Sequence, residues 1–376
     1  MTTLSLPVRE ARPAKARGRV LELLLVGGVT PLCFLASWLL RRSLGLDAAD
    51  LVVGFTMFHL AFVVNDPHFS VTYLLFYEDF KDRAFGTAFS RGLRLRYLLA
   101  GLLVPAALAT WAVAAVVGDS AEGLGLMIEL MFLLVGWHYV KQGFGVMMVL
   151  SARRGVRFSQ RERWIILAHC FAGWAYAWAN PHQAARLQQE KGLIYLSIPR
   201  PHLFEMTALG ALAVSTVALF AMLARKWRRE GPLAIQTPLT ALLCSIWLWL
   251  VFSAVDPLVR YMTPALHSLQ YLYFVWLLKR NEAESRTGEP HFEPPPRERL
   301  AVLAFFSLGL GALLFHIGPE LLDAMFAKPP GIGLGVSLGP TPYFAALYAI
   351  VNIHHYFMDN VIWRRDNPRT RFLVTS

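Results

Sequence analysis

Six histidines in this chain, His68, His138, His169, His267, His354 and His355, all fall within apolar stretches, where an imidazole either ligates a metal or hydrogen-bonds one helix to another. Neutral imidazole ligates through one nitrogen and suits iron, copper and zinc. Asp66, in Asn65-Asp66-Pro67-His68, is read either as a further ligand or as the carboxylate that orients a ligating ring. His138, Lys141 and Gln142 have i, i+3, i+4 spacing and share one helix face. The Lys141 ammonium has two readings there: a donor to an anionic headgroup or reduced oxygen species, or a side chain that snorkels to the surface. His267 and Gln270 are also three residues apart. His355 and Asp359 are four apart on one face, while His354 points about 100° away, so the doublet need not serve one ion. Lys141, Gln142 and Asp359 are the candidates for catalytic work beside the metal.

The elements that must position these residues follow from composition. Of 376 residues, 56% are hydrophobic and only 16% charged, with a mean hydropathy of +0.44. Soluble domains carry about 45–50% apolar and about 25% charged residues, so a water-soluble domain is excluded. Disorder is excluded too, because 25 Phe, 12 Tyr and 11 Trp are not the composition of a solvated polymer. The net charge of +11 is read as basic loops held against anionic lipid headgroups, not as a nucleic-acid surface. Cys33, Cys170 and Cys244 lie inside apolar runs and form no motif.

A membrane-crossing helix needs roughly 20 mainly apolar residues. Ten spans are expected, near 20–40, 50–77, 96–117, 124–150, 163–180, 204–224, 235–254, 259–279, 300–317 and 341–363. Asn65-Asp66-Pro67 is expected to break the second span, and 318–340, rich in Gly and Pro, is a candidate re-entrant segment. The run from Val20 to Leu40 is too long for the apolar core of a signal peptide. Alternate loops and both tails hold 28 Lys and Arg against seven on the opposite side, which predicts that both termini are cytoplasmic. The expected fold is therefore all-α: a polytopic helical bundle over 20–363 between basic tails at 1–19 and 364–376, in a bacterial inner membrane.

Depth then unites the histidines. Counted back to the cytoplasmic end of each span, they lie six to twelve residues deep, which at 1.5 Å per residue is one layer about 9 Å thick. Asp66 and Lys141 share it, whereas His59 lies nearer the opposite face. His182, His202, His291 and His316 are assigned to loops or span ends, and the tyrosines near the motifs, Tyr271 among them, to an interfacial aromatic belt.

This arrangement resembles the membrane non-haem iron oxygenases, a group that includes fatty-acid desaturases, alkane and sterol hydroxylases and bacterial carotene-cleaving oxygenases. The resemblance is architectural. The desaturase-type histidine boxes are absent, and only His354-His355 is similar to a fragment of one. It implies a metal-dependent oxidoreductase, most naturally with iron, acting on a lipid or another hydrophobic substrate. Copper, zinc and haem are alternative cofactors. A separate electron donor is required, because the chain has no GxGxxG segment. The competing classes are a haem-bearing electron carrier, a lipid-modifying transferase with an intramembrane histidine base, and a proton or metal transporter.

Overall fold

The computed structural model describes residues 16–179, 187–232, 234–254, 256–287, 294–327 and 335–374. Most of the N-terminal tail, together with His182 and His291, lies outside them. Eleven helices are numbered along the described chain: α1 (Gly18–Leu44), α2 (Leu46–Tyr77), α3 (Phe80–Phe85), α4 (Arg91–Val117), α5 (Ala121–Arg153) and α6 (Gln160–Ala179). After a hairpin of β1 (Leu187–Glu190) and β2 (Leu193–Leu196) come α7 (His202–Glu230), α8 (Gln236–Val251), α9 (Pro257–Glu284), α10 (Pro296–Phe326) and α11 (Pro342–Ile362).

A helix stands in each of the ten stretches expected from hydropathy. Six of them, α1, α2, α4, α5, α7 and α10, are long and apolar enough to cross a membrane, which marks a multi-pass membrane protein. Their outward faces carry exposed Leu51, Phe55, Val214, Val217 and Phe305, side chains that water would not favour and lipid does. Helices α9 and α11 carry the polar residues described below, which dilute their hydropathy.

The break expected at Asn65-Asp66-Pro67 is absorbed within a helix, and so is the start of the 318–340 segment, whose residues 328–334 lie outside the described ones. Before Pro67 the helix widens into a π-helical turn, Ala61–Asn65, and continues as α2. In α10 a second widened turn, Leu313–Ile317, accommodates Gly318-Pro319, and the helix runs on to Phe326. His316 is therefore inside a helix and not at its end, and Leu321–Phe326 continues that helix. Widened turns bend a helix and open its carbonyls to outside partners. Val26 O, in the turn Leu24–Gly28, accepts from Gln270 Nε2 at 2.6 Å, and Ala100 O, in the turn Leu99–Leu103, is 2.9 Å from His354 Nε2.

Small residues set the close contacts. A Cβ on Gly136 would stand 2.1 Å from Trp174 Cδ1, so α5 and α6 touch there. A Cβ on Gly311 would stand 3.0 Å from Asp66 Cβ and 3.2 Å from Ser70 Oγ, so α10 presses directly on α2. The hairpin pairs Leu187 with Leu196 and Glu190 with Leu193, and it packs buried Tyr195 against Gly125 of α5. The three cysteines are free.

Candidate metal centre

Four helices each contribute one histidine to a single point in the bundle. His68 comes from α2, His138 from α5, His267 from α9 and His355 from α11, and all four are buried. Their rings touch: centroids are 4.8 Å apart for His68–His267, 4.5 Å for His68–His355, 4.8 Å for His138–His267 and 5.0 Å for His138–His355. Asp359, one turn beyond His355, turns Oδ2 toward the same point, 3.3 Å from His355 Nε2 and 3.7 Å from His138 Nδ1. One donor atom each from His68, His138, His355 and Asp359 lies within 4.8 Å of the others. His138 Nε2 is 3.1 Å from His267 Nε2.

Hydrogen bonds around the cluster aim its donors inward. Ser268 Oγ donates to Pro264 O at 2.7 Å, so its lone pair can accept from His68 Nδ1 at 3.2 Å. That leaves His68 Nε2 with a lone pair facing the centre, where it has no hydrogen-bond partner. His267 Nδ1, both nitrogens of His355 and Asp359 Oδ2 are likewise buried without a partner. Each such group costs about 1–3 kcal/mol when left unmade, and most buried polar groups are satisfied. Three imidazoles and a carboxylate gathered this way form a nitrogen/oxygen donor set for a divalent first-row ion. A metal–ligand distance of about 2.1 Å sets adjacent donor atoms roughly 3.0–3.4 Å apart, and within the set His355 Nε2 and Asp359 Oδ2 stand 3.3 Å apart.

The other oxygen of Asp359 is held from outside. Oδ1 accepts from Tyr271 Oη at 2.6 Å and from Trp363 Nε1 at 3.2 Å, with Thr72 Oγ1 at 3.5 Å. Tyr271 Oη also lies 2.6 Å from Thr72 Oγ1. Gln142 Nε2 donates to Gln270 Oε1 at 2.8 Å and to His267 O at 3.2 Å, which ties α5 to the backbone of α9 beside the centre. Contacts in both layers, His68–His267 below Thr72–Tyr271, His138–His267 below Gln142–Gln270 and His68–His355 below Thr72–Asp359, show that α2, α5, α9 and α11 run in the same direction.

The remaining sequence candidates stand apart from this point. His354 Nε2 faces Ala100 O, which can only accept, so this nitrogen carries the proton, and Nδ1 accepts from Tyr73 Oη at 3.0 Å. Both nitrogens are thus occupied in joining α11 to α4 and α2. His169 is the same in kind: Nε2 accepts from Trp247 Nε1 at 3.2 Å and Nδ1 meets Ser215 Oγ at 3.3 Å. Asp66 meets His316 Nε2 at 2.8 Å and faces α10. Lys141 is exposed, its Nζ 5.9 Å from the Trp137 ring centroid, and His59 bonds Phe55 O in its own helix. Tyr271 is buried at the centre and not part of a surface belt.

Thr72, Ser268, Tyr271 and Trp363 were not among the sequence candidates, yet a signal for three of them exists. Thr72 follows His68 by four residues, Tyr271 follows His267 by four, and Trp363 follows Asp359 by four. No protein-family model, curated protein or solved structure matches the chain.

Proposed function

We propose that the chain is an integral membrane metalloprotein and an oxidoreductase for lipid or other hydrophobic substrates, with His68, His138, His355 and Asp359 holding the metal and His267 beside them. The observation that carries this reading is the convergence of His68, His138, His355 and Asp359 from three helices, with His68 Nε2, both His355 nitrogens and Asp359 Oδ2 buried and unpartnered. Iron is the preferred ion, since imidazole with a carboxylate and open positions suits non-haem iron. Bound there, it supplies one-electron chemistry toward dioxygen, with electrons from a separate donor. The chain's own residues do the rest: Ser268 fixes the His68 tautomer, Tyr271 and Trp363 hold Asp359, and the packed helices exclude water. A haem needs a macrocycle-sized slot between two imidazoles, whereas these rings are in contact, which favours the non-haem reading.

Ten crossings with both termini in the cytoplasm fit this reading, because they set all four ligand helices parallel and bring their C-terminal ends to the basic side. The test is elemental analysis and a visible spectrum of protein purified in mild detergent, beside the His138→Ala/His355→Ala double variant. Near-stoichiometric iron that the variant loses, without haem bands, is expected. Stoichiometric zinc in place of iron would overturn the redox assignment, and a folded, metal-free protein that takes up no added metal would overturn the centre itself.

A further inference from the structure

Helix α9 brings three side chains to the centre, and each meets a group from a different helix. Ser268 Oγ lies 3.2 Å from His68 Nδ1 of α2, and His267 Nε2 lies 3.1 Å from His138 Nε2 of α5. Tyr271 Oη donates to Asp359 Oδ1 of α11 at 2.6 Å. The converging donors themselves, His68, His138, His355 and Asp359, come from α2, α5 and α11, and His267 is not among them.

The role of His267 follows from where one proton sits. Two imidazole nitrogens at 3.1 Å share a proton, and a neutral ring carries only one N–H. If His267 donates, the proton of His138 is on Nδ1 and points toward Asp359 Oδ2, 3.7 Å away, so His138 brings no lone pair to the centre. If His138 donates, its Nδ1 lone pair faces Asp359 Oδ2, which is itself buried and unpartnered. Only the second arrangement makes His138 a ligand. The proton of His267 is then on Nδ1, with its ring 4.5 Å from that of Tyr139 between centroids and its carbonyl held by Gln142 Nε2 at 3.2 Å.

Resting on the metal reading above, we infer that α9 orients the centre without ligating it: His267 is a positioning residue that accepts the Nε2 proton of His138 and commits His138 to ligate through Nδ1. Ser268 commits His68 to the opposite nitrogen, Nε2. Helix α9 thus sets one ligand on each of the three other helices.

The full chain in mild detergent, loaded with cobalt(II) alone, tests this by proton NMR. An imidazole bound through Nε2 gives one sharp exchangeable N–H signal. One bound through Nδ1 gives a sharp N–H with a sharp ring-proton signal beside it, because both then lie away from the ion. One N–H signal is expected for each of His68, His138 and His355, and only one of them should have the ring-proton companion. In a chelator titration His267→Phe should lower metal affinity about 10–100-fold, while all the N–H signals persist at saturating cobalt. His267→Gln, whose amide oxygen can stand in for Nε2, should recover most of that affinity. A role in packing alone predicts the reverse order, because Phe keeps the ring and Gln does not. An additional N–H signal that His267→Phe removes, or no signal of the Nδ1 type in the wild type, would overturn the inference and leave the metal reading standing. Failure to take up cobalt at all would overturn both.

Discussion

Tyr271 gives its hydroxyl to Oδ1 of Asp359 at 2.6 Å, and each of the two stands one helical turn beyond a histidine of the metal centre, His267 and His355. The same step recurs from His68 to Thr72 and from His138 to Gln142. Because the four helices run parallel, the four residues at i+4 form a polar tier directly above the four imidazoles. Within that tier Thr72 and Tyr271 orient the Asp359 carboxylate, and Gln142 ties α5 to α9.

Removing the Tyr271 hydroxyl should loosen the centre without dismantling it. Tyr271→Phe leaves Oδ1 of Asp359 with Trp363 as its main donor and frees the carboxylate to rotate. Metal affinity should fall about 10–100-fold, the usual effect of losing an outer hydrogen bond to a ligand. A competitive chelator titration measures this, and unchanged affinity would count against the tier.

The adjacent histidines His354 and His355 should part company. His355→Ala should abolish stoichiometric metal binding. His354→Ala should keep the metal and lose the link to Tyr73 and Ala100, with a stability cost of about 1–3 kcal/mol for the polar groups left unpaired. Metal content and thermal unfolding in detergent, measured on both variants, separate the two roles. Metal loss in both would contradict the geometry.

Gly311 is a packing requirement. Gly311→Val places a branched side chain where a single carbon already stands 3.0 Å from Asp66 Cβ. The strain should cost about 1–3 kcal/mol and push α10 from the segment of α2 that leads to His68. A lower unfolding temperature together with weaker metal retention is expected, whereas an unchanged unfolding temperature would show that the helices can part freely.

Acid should act first on the charged cluster over the ends of α2 and α9. Arg369 bridges Glu78 at 2.8 Å and Glu282 at 2.7 Å, and Lys279 joins both. Burial alone would raise the pKa of Glu78, but Arg369 and Lys279 outweigh it and hold the carboxyl at about 2 against an ordinary 4.5. With the folded value depressed, this contribution to stability is complete above pH 4.5 and drains away as pH falls toward about 2. In Arg369→Met burial is opposed mainly by Lys279, so the folded value should rise toward 4.5, and the acid-dependent loss should shrink and finish at higher pH. Unfolding midpoints between about pH 2 and pH 6 test this, and superimposable profiles would contradict it.

Much of this architecture is legible in the chain. Hydropathy places the helices, and depth along each helix puts the six histidines in one layer. Depth does not give direction around the helix axis, and there His169 and His354 part from the others, turned toward Trp247 and Ala100. Asp66 was drawn toward His68 by its nearness in sequence, yet two residues on a helix differ by about 200°, and it faces His316. The widened turns were hidden because Pro67 and Pro319 signal a break, while the energetics of a lipid-embedded backbone favour an adjusted helix. Tyr271 and Trp363 carry an i+4 signal from His267 and Asp359, but the sequence alone does not separate it from an interfacial aromatic belt.

The central claim is that histidines and one carboxylate hold a metal here, and X-ray absorption at the iron K-edge of iron-loaded protein tests it most directly. The account predicts a shell of nitrogen and oxygen only, at about 2.0–2.2 Å, with the outer-shell pattern of several imidazole rings and no sulfur. That pattern should be lost in the His138→Ala/His355→Ala variant. Sulfur scattering, a porphyrin-like signature, or a spectrum unaltered in the double variant would contradict it.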